Sequence, residues 1–342
     1  MAGKGSVFLL GPGFIGLQII DELIREGYPV TVLVRREEAR AKLEKLGCKT
    51  VLGSLDDGDV IRNATTVADI VIHVATADHL PSAMSILDGV AERAKSGKST
   101  IYIHTSGCSA ITDNSGGERI SDKIYEDDKP ETIDSIADNA PHRAIDLAIL
   151  KRRGELGSKA KISIVLPPVI YGVGKENRLS IQVPTLTRFA LKHGFPGYVE
   201  GGNGVWGYVH VADLARGYMA ILHYLESTPA EEVLADPYFF VENGEEYSWK
   251  RCAEEIGKAL QKVGKLSDPT PRQIPPDLYS YVFGEWSGPV VGRNARNRAN
   301  RLRALGWKPR EKSAWDSLLS DELPIILAEK TEFRGYAAAV AS

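Results

Sequence analysis

Ser6-Val7-Phe8-Leu9-Leu10-Gly11-Pro12-Gly13-Phe14-Ile15-Gly16 is the stretch on which the fold turns. A short apolar run ends in Gly11-x-Gly13-x-x-Gly16. Ile15, Ile19, Ile20, Leu23 and Ile24 then recur at helical spacing until Gly27 and Pro29 stop the helix. Strand, glycine turn and helix come in the order that a dinucleotide pyrophosphate site requires. Gly11 permits the tight turn, Gly13 lets the backbone approach the pyrophosphate, and Gly16 lets the helix pack closely on the strand. The first helical turn, with Phe14 and Ile15, offers free amide donors and a partial positive charge. The competing account is a glycine turn with a structural role alone.

Outward from this turn, short β-branched runs alternate with amphipathic stretches. Strands are expected at 6–10, 30–34, 50–52, 70–74, 100–104 and 161–166, and their continuous apolarity fits strands covered on both faces. Helices are expected at 37–46, 59–68, 81–95 and 142–152, and later at 181–193, 211–225, 249–263 and 314–327. The fold class is α/β: a Rossmann-type doubly wound parallel sheet with a smaller C-terminal substrate-binding region. Residues 1–175 form the dinucleotide-binding core, and residues 176–330 form the substrate region, with 209–225 returning to the core. Residues 331–342 form a tail whose last residues, 337–342, fray. Residues 107–140 are polar and weakly periodic, hence either a functional loop or a disordered insertion. Leu266 to Pro276, rich in proline, is the best linker candidate.

The 342 residues carry 43% hydrophobic and 25% charged side chains, enough for a full core. A formal charge of -3 gives no basic field for nucleic acid. Cys48, Cys108 and Cys252 are far apart and lack metal or disulfide spacing, which fits a reducing compartment. The N-terminal apolar run is too short for a signal peptide or a membrane span. The expectation is a cytoplasmic protein with a small-molecule substrate, no nucleic-acid or membrane partner and no metal; a homodimer is compatible with the chain.

The end of the second strand decides the ribose partner. Where an NAD site carries an acidic residue, this chain has Arg35 and Arg36, nineteen and twenty positions after Gly16. Two guanidiniums suit a 2′-phosphate, so NADP is the expected cofactor. The alternative is that they are solvated residues at the start of a helix.

Several further segments, in order, resemble the extended and atypical short-chain dehydrogenase/reductases, including NmrA-like and epimerase-like proteins of the type common in fungi. They are Gly53-Ser54-Leu55-Asp56-Asp57, His73-Val74-Ala75-Thr76, Pro167-Pro168-Val169-Ile170-Tyr171-Gly172, Val209-His210-Val211-Ala212-Asp213-Leu214-Ala215 and Leu305-Gly306-Trp307-Lys308-Pro309. The resemblance implies that Leu55 and Asp56 flank the adenine and that Ala75 and Thr76 pass the nicotinamide ribose. It also places Pro167 and Val169 beside the nicotinamide. Chemistry in the family rests on Tyr-x-x-x-Lys, in which the tyrosine exchanges a proton with the substrate oxygen and the lysine lowers its pKa.

Tyr125 to Lys129 matches that motif literally, but it lies in the polar interval and is followed by Pro130, which disfavours helix there. The family tyrosine sits about 25 residues before the proline turn; counting back from Pro167 reaches His142, with Asp146 in the lysine position and Pro141 in the first helical turn. Residues four apart share a helix face, so His142 is the expected proton donor and Asp146 its orienter. A structural role for both is the competing account. Gly107 occupies the position of the family's catalytic hydroxyl in Thr105-Ser106-Gly107, which leaves Ser106 as a supporting donor and Thr105 as a cofactor contact.

Tyr171, Trp206 and Tyr208 are candidates for a substrate wall, against core packing. His79, His104 and His210 read as bonded structural histidines, because no metal-ligand spacing accompanies them. Arg293, Arg296, Arg298, Arg301 and Arg303 read as a solvated face. The expected activity is NADP-dependent reduction of a carbonyl or imine of a small, largely apolar molecule, in specialised metabolism. The alternatives are a non-redox NADP-binding isomerase, epimerase or cyclase, and an NADP-sensing regulator without turnover.

Overall fold

A computed structural model describes residues 3–336; the tail residues expected to fray, 337–342, lie outside them. The N-terminal run forms β1 (Val7–Leu10), buried throughout, and Gly13 opens α1 (Phe14–Arg25), which buries Ile19, Ile20 and Leu23. The alternation continues through β2 (Val30–Val34), α2 (Glu37–Lys45), β3 (Lys49–Leu52), α3 (Gly58–Thr66), β4 (Ile70–His73), α4 (Leu80–Lys95) and β5 (Thr100–Thr105). These elements lie within one or two residues of those the apolar periodicity predicts. Then come β6 (Tyr125–Glu126), α5 (Pro130–Asp134), α6 (Arg143–Leu156), β7 (Ala160–Leu166) and β8 (Val169–Tyr171). The remainder holds α7 (Gln182–His193), β9 (Gly197–Tyr198), β10 (Val205–His210), α8 (Val211–Ser227), β11 (Tyr238–Phe240), β12 (Glu246–Ser248), β13 (Arg272–Gln273) and β14 (Asn297–Arg298), besides further helices.

Seven strands form one parallel sheet in the order β11-β7-β5-β4-β1-β2-β3. Helices on both faces make this the doubly wound architecture that the sequence pattern implies: α1 packs with α8, and α4 packs with α3 and α6. Strand order, not chain direction, reverses at β1, where β2 and β3 are added on one side and β4 onward on the other, and register aligns Leu10, His73 and His104 along the carboxyl rim of the sheet. Ligands of open α/β sheets bind at such a rim. The seventh strand, Tyr238–Phe240, is three residues long and has no alternation to betray it.

Residues 107–140 are tied into the fold. β6 pairs with β14, and Asn294 accepts from Ser121 N and Val205 N while its amide donates to Asp113 and the Arg119 carbonyl. The linker candidate at 266–276 does not bridge separate bodies: its Arg272–Gln273 pairs with β9, and Pro269 lies against Gly257. The arginine run corrects the solvated-face expectation: Arg296 and Arg298 lie on or beside a short strand, Arg301 and Arg303 on the short helix Asn300–Ala304, and the guanidiniums meet partly or fully buried carboxylates. Arg293 pairs with Glu200, Arg296 and Arg298 with Glu246, Arg301 with Asp236, and Arg303 with Glu242. The single helix expected over 314–327 is interrupted by a π turn at Leu318–Glu322, just before Pro324, whose missing N–H cannot join the regular ladder. Among the described residues no helix is long and apolar enough to cross a membrane.

Candidate active site

The glycine turn has the shape its sequence requires. Gly11 adopts φ +98°, and a Cβ there would stand 2.4 Å from the Ala75 backbone nitrogen. A Cβ at Gly16 would stand 1.9 Å from the Gly11 carbonyl oxygen, so only glycine allows α1 to pack this closely. At Gly13 a Cβ would meet no protein atom within 4 Å, and no side chain caps α1. The backbone therefore faces open space at a helix N-terminus with its amides free of side-chain acceptors, a fit to a pyrophosphate. Phe14 packs on Gly174 at the edge of the turn.

Arg35 and Arg36 follow β2 directly and are both exposed. Glu37, the next carboxylate along the chain, is held by Arg40 instead. Leu55 is half-buried in the loop after β3, and the neighbouring Asp56 is exposed and contacts His79 at 3.2 Å. Ala75 lies against Gly11, and the Thr76 hydroxyl accepts from the Asp78 amide, turning the chain just beyond β4. These residues share the carboxyl rim with the glycine turn.

On the same rim stands a hydrogen-bonded chain of three side chains. His142 Nδ1 lies 2.6 Å from Asp78 Oδ1, and His142 Nε2 lies 2.6 Å from Ser109 Oγ. A carboxylate only accepts, so Nδ1 carries the hydrogen of that bond, and Nε2 is left to exchange a proton with the serine hydroxyl. Ser109 sits on a short helical turn, Cys108–Ile111, which is fixed to the end of β7 by Ser106 N to Val165 O and Cys108 N to Pro167 O.

His142 is not inside the helix, contrary to the spacing argument. It is the N-cap of α6 at φ +66°, a left-handed conformation that histidine adopts more readily than most residues but that still costs roughly 1–3 kcal/mol. From a cap in that conformation, a separation of four no longer puts two side chains on one face. The imidazole swings toward Asp78 and Ser109. Asp146 points inward, 1% exposed, and accepts from Ser106 Oγ at 2.9 Å. The carboxylate bonded to His142 is thus Asp78, 64 residues away in the chain, rather than Asp146, and the serine bonded to it is Ser109 rather than Ser106.

Gly107 adjoins His142 and Ser109. A Cβ at Gly107 would stand 3.3 Å from His142 Nε2 and 3.7 Å from Ser109 Oγ, so the imidazole uses room that a side chain at 107 would take. A glycine at 107 and an imidazole at 142 are sterically matched. Behind them lies a buried polar layer: His73 and His104 face each other at 3.3 Å, and the Tyr102 hydroxyl lies 3.2 Å from His104. Burial lowers His73 to about 4 and His104 well below the usual imidazole value, so both are neutral near pH 7. Burial raises Asp146 to about 6 despite the Ser106 bond.

The other expected site residues have the following surroundings. Thr105 Oγ1 is bonded to the Tyr218 hydroxyl at 2.6 Å, on the α8 side, so its side chain is committed to packing. Pro167 and Val169 are buried, and Val169 belongs to β8, paired with β10. Tyr171, Trp206 and Tyr208 are core residues: the Tyr171 hydroxyl donates to Lys312 O, Trp206 Nε1 donates to Arg293 O, and the Tyr208 ring packs on Tyr247 and Trp315. None of the three walls an open site. Tyr125 lies on β6 rather than on a helix, and Lys129 pairs with Glu126. His79 and His210 cap α4 and α8 by accepting from Ser82 N and Ala212 N. The spacing arguments missed Asp78 and Ser109; the one local signal was the glycine at 107, which leaves space beside a serine two positions on.

Comparisons with known proteins give the family and the fold. A family model described as "NAD dependent epimerase/dehydratase family" matches residues 7–235. The oxidase ucsJ of Acremonium sp is 27% identical over 334 residues, covering 89% of this chain and 92% of that protein. A sterol-4-alpha-carboxylate 3-dehydrogenase, decarboxylating, of Dictyostelium discoideum is 26% identical over 225 residues, covering 62% of this chain and 66% of its own. Among solved structures, a UDP-glucose 4-epimerase of Thermotoga maritima, with UDP-glucose, superimposes with a TM-score of 0.67 at 17% identity, covering 94% of this chain and 99% of that one. That last likeness is one of fold.

Proposed function

This chain belongs to the NAD-dependent epimerase/dehydratase family, and from that premise we propose that it is an NADP-dependent oxidoreductase that reduces a carbonyl or imine of a small organic molecule. The observation that carries the proposal is the Asp78–His142–Ser109 chain beside the glycine turn, on one rim of the sheet. Gly11, Gly13, Gly16 and the first amides of α1 hold the pyrophosphate. Arg35 and Arg36 bind the 2′-phosphate as paired guanidiniums. Leu55 and Asp56 border the adenine, and Ala75 and Thr76 border the nicotinamide ribose. When bound, the dinucleotide supplies or accepts a hydride.

The chain's own residues supply the proton. His142 is the acid–base group at the rim, held by Asp78 in the tautomer that turns Nε2 toward Ser109. Ser106 and Asp146 keep the segment after β5 in register with α6, so they position the site from beneath. Similarity over most of its length to an oxidase, and over part to a sterol carboxylate dehydrogenase, supports a redox role. A non-redox isomerase is the second reading, favoured by the epimerases and dehydratases for which the family is named.

The test is NADPH consumption against a panel of small ketones, quinones and imines, with product analysis. The expected result is one NADPH consumed per bond reduced, and a fall in kcat of about 100-fold in His142→Asn. Full turnover in that variant contradicts the role of His142. Isomerised product without net NADPH loss favours the second reading instead.

A further inference from the structure

We infer that Ser109, rather than His142, is the residue of this chain that touches the reacting oxygen of the substrate, with His142 behind it and Asp78 as a positioning residue. This rests on the oxidoreductase reading above and names the group through which its proton passes. Valence limits what His142 can still bond. An imidazole has two ring nitrogens, each with one in-plane hydrogen or one lone pair, and in His142 both are engaged at 2.6 Å. No N–H remains for a third partner while the chain is intact. Ser109 differs, because a hydroxyl that bonds one group keeps capacity for another.

The neighbouring hydroxyl residues Thr105, Ser106 and Tyr125 are buried, which Ser109 is not. Ser106 is 5% exposed and bonded to Asp146, and Thr105 is bonded to Tyr218. Tyr125 has the Lys123 ammonium over its ring. Ser109 is half-buried, and both its Oγ and His142 Nε2 stand close to the bare Gly107. Position 107 thus leaves the pair unshielded by a side chain.

In the reducing direction a reduced nicotinamide, when bound, would supply the hydride to the carbonyl carbon, and this chain supplies the proton. The Ser109 O–H bond breaks as its proton goes to the carbonyl oxygen, giving the alcohol. The Nε2–H of protonated His142 passes to Ser109 Oγ, and the imidazole regains its proton from water. Asp78 remains a carboxylate, with its exposed side chain on the solvent side of the ring. One hydride and one proton are consumed, and the serine and histidine end as they began.

The same chain has a consequence that needs neither substrate nor dinucleotide. A serine hydroxyl bonded to an imidazole that a carboxylate orients is activated toward phosphonyl and acyl electrophiles. The full chain is therefore treated with a fluorophosphonate, with and without NADP, and the adduct is located by peptide mass mapping. The expected result is one phosphonyl group on Ser109, absent in Ser109→Ala. Labelling slows about 100-fold in His142→Asn and about 10-fold in Asp78→Asn. Asparagine is chosen at 142 because it tolerates the left-handed conformation of that cap. No adduct on Ser109, or an unchanged rate in His142→Asn, overturns the inference. NADPH binding is measured on the same samples: binding without Ser109 labelling sinks this inference alone, whereas labelling without NADPH binding supports the activated serine and removes the oxidoreductase reading.

Discussion

At the scale of single residues, the site turns on Gly107 and His142. The glycine leaves the room that the imidazole uses, so Gly107→Ala places a Cβ 3.3 Å from Nε2 and forces the ring to shift. The shift lengthens a 2.6 Å bond on which proton transfer depends. Turnover with an accepted substrate should fall about 10-fold, while thermal stability changes little because position 107 is only half-buried. Unchanged kcat in Gly107→Ala would show that the imidazole does not need that space. The three glycines of the turn were legible from their spacing, and His142 drew notice through its resemblance to the family's tyrosine position. The partners of His142 were not legible. Its side-chain direction depends on a positive φ at the cap, and Asp78 approaches from a loop 64 residues away.

At the scale of elements, the parallel strands of the first half announce themselves by uninterrupted apolar runs, and their helices by period and caps. The C-terminal half is less readable for identifiable reasons. β9, β13, β6 and β14 are two-residue strands, set by pairing and not by any local pattern. The arginine run reads as charged surface until Glu200, Glu246, Asp236 and Glu242 are brought to it from distant segments. The π turn before Pro324 carries Glu322, fully buried, which accepts from Gly172 N and Ser317 Oγ and has one oxygen without a partner. Burial raises its pKa to about 7, so folding favours the protonated form. Its contribution is complete below the unfolded carboxyl pKa and is lost as pH rises through about 7. Glu322→Gln should therefore gain stability relative to the parent as pH rises from 5 to 8, by roughly 3 kcal/mol at most. Urea melts across that range provide the check. A difference that stays constant with pH would mean that Glu322 is ionised in the fold.

At the scale of the whole molecule, the seven-stranded sheet brings the glycine turn, the arginine pair after β2 and the imidazole at the cap of α6 to one rim. The sequence pattern predicts the architecture because each βα unit is locally encoded. It does not predict which face of a loop meets which neighbour, and so it left Tyr171, Trp206 and Tyr208 open between a substrate wall and the core, where their aromatic bulk lies. The central claim is that this rim holds NADP and reads its 2′-phosphate through Arg35 and Arg36. Fluorescence titration of the full chain with NADPH and with NADH tests it most directly. The account predicts at least about tenfold tighter binding of NADPH, the scale of charged hydrogen bonds to a phosphate, and loss of that preference when Arg35 and Arg36 are both changed to alanine. Equal or tighter binding of NADH by the parent chain would contradict it.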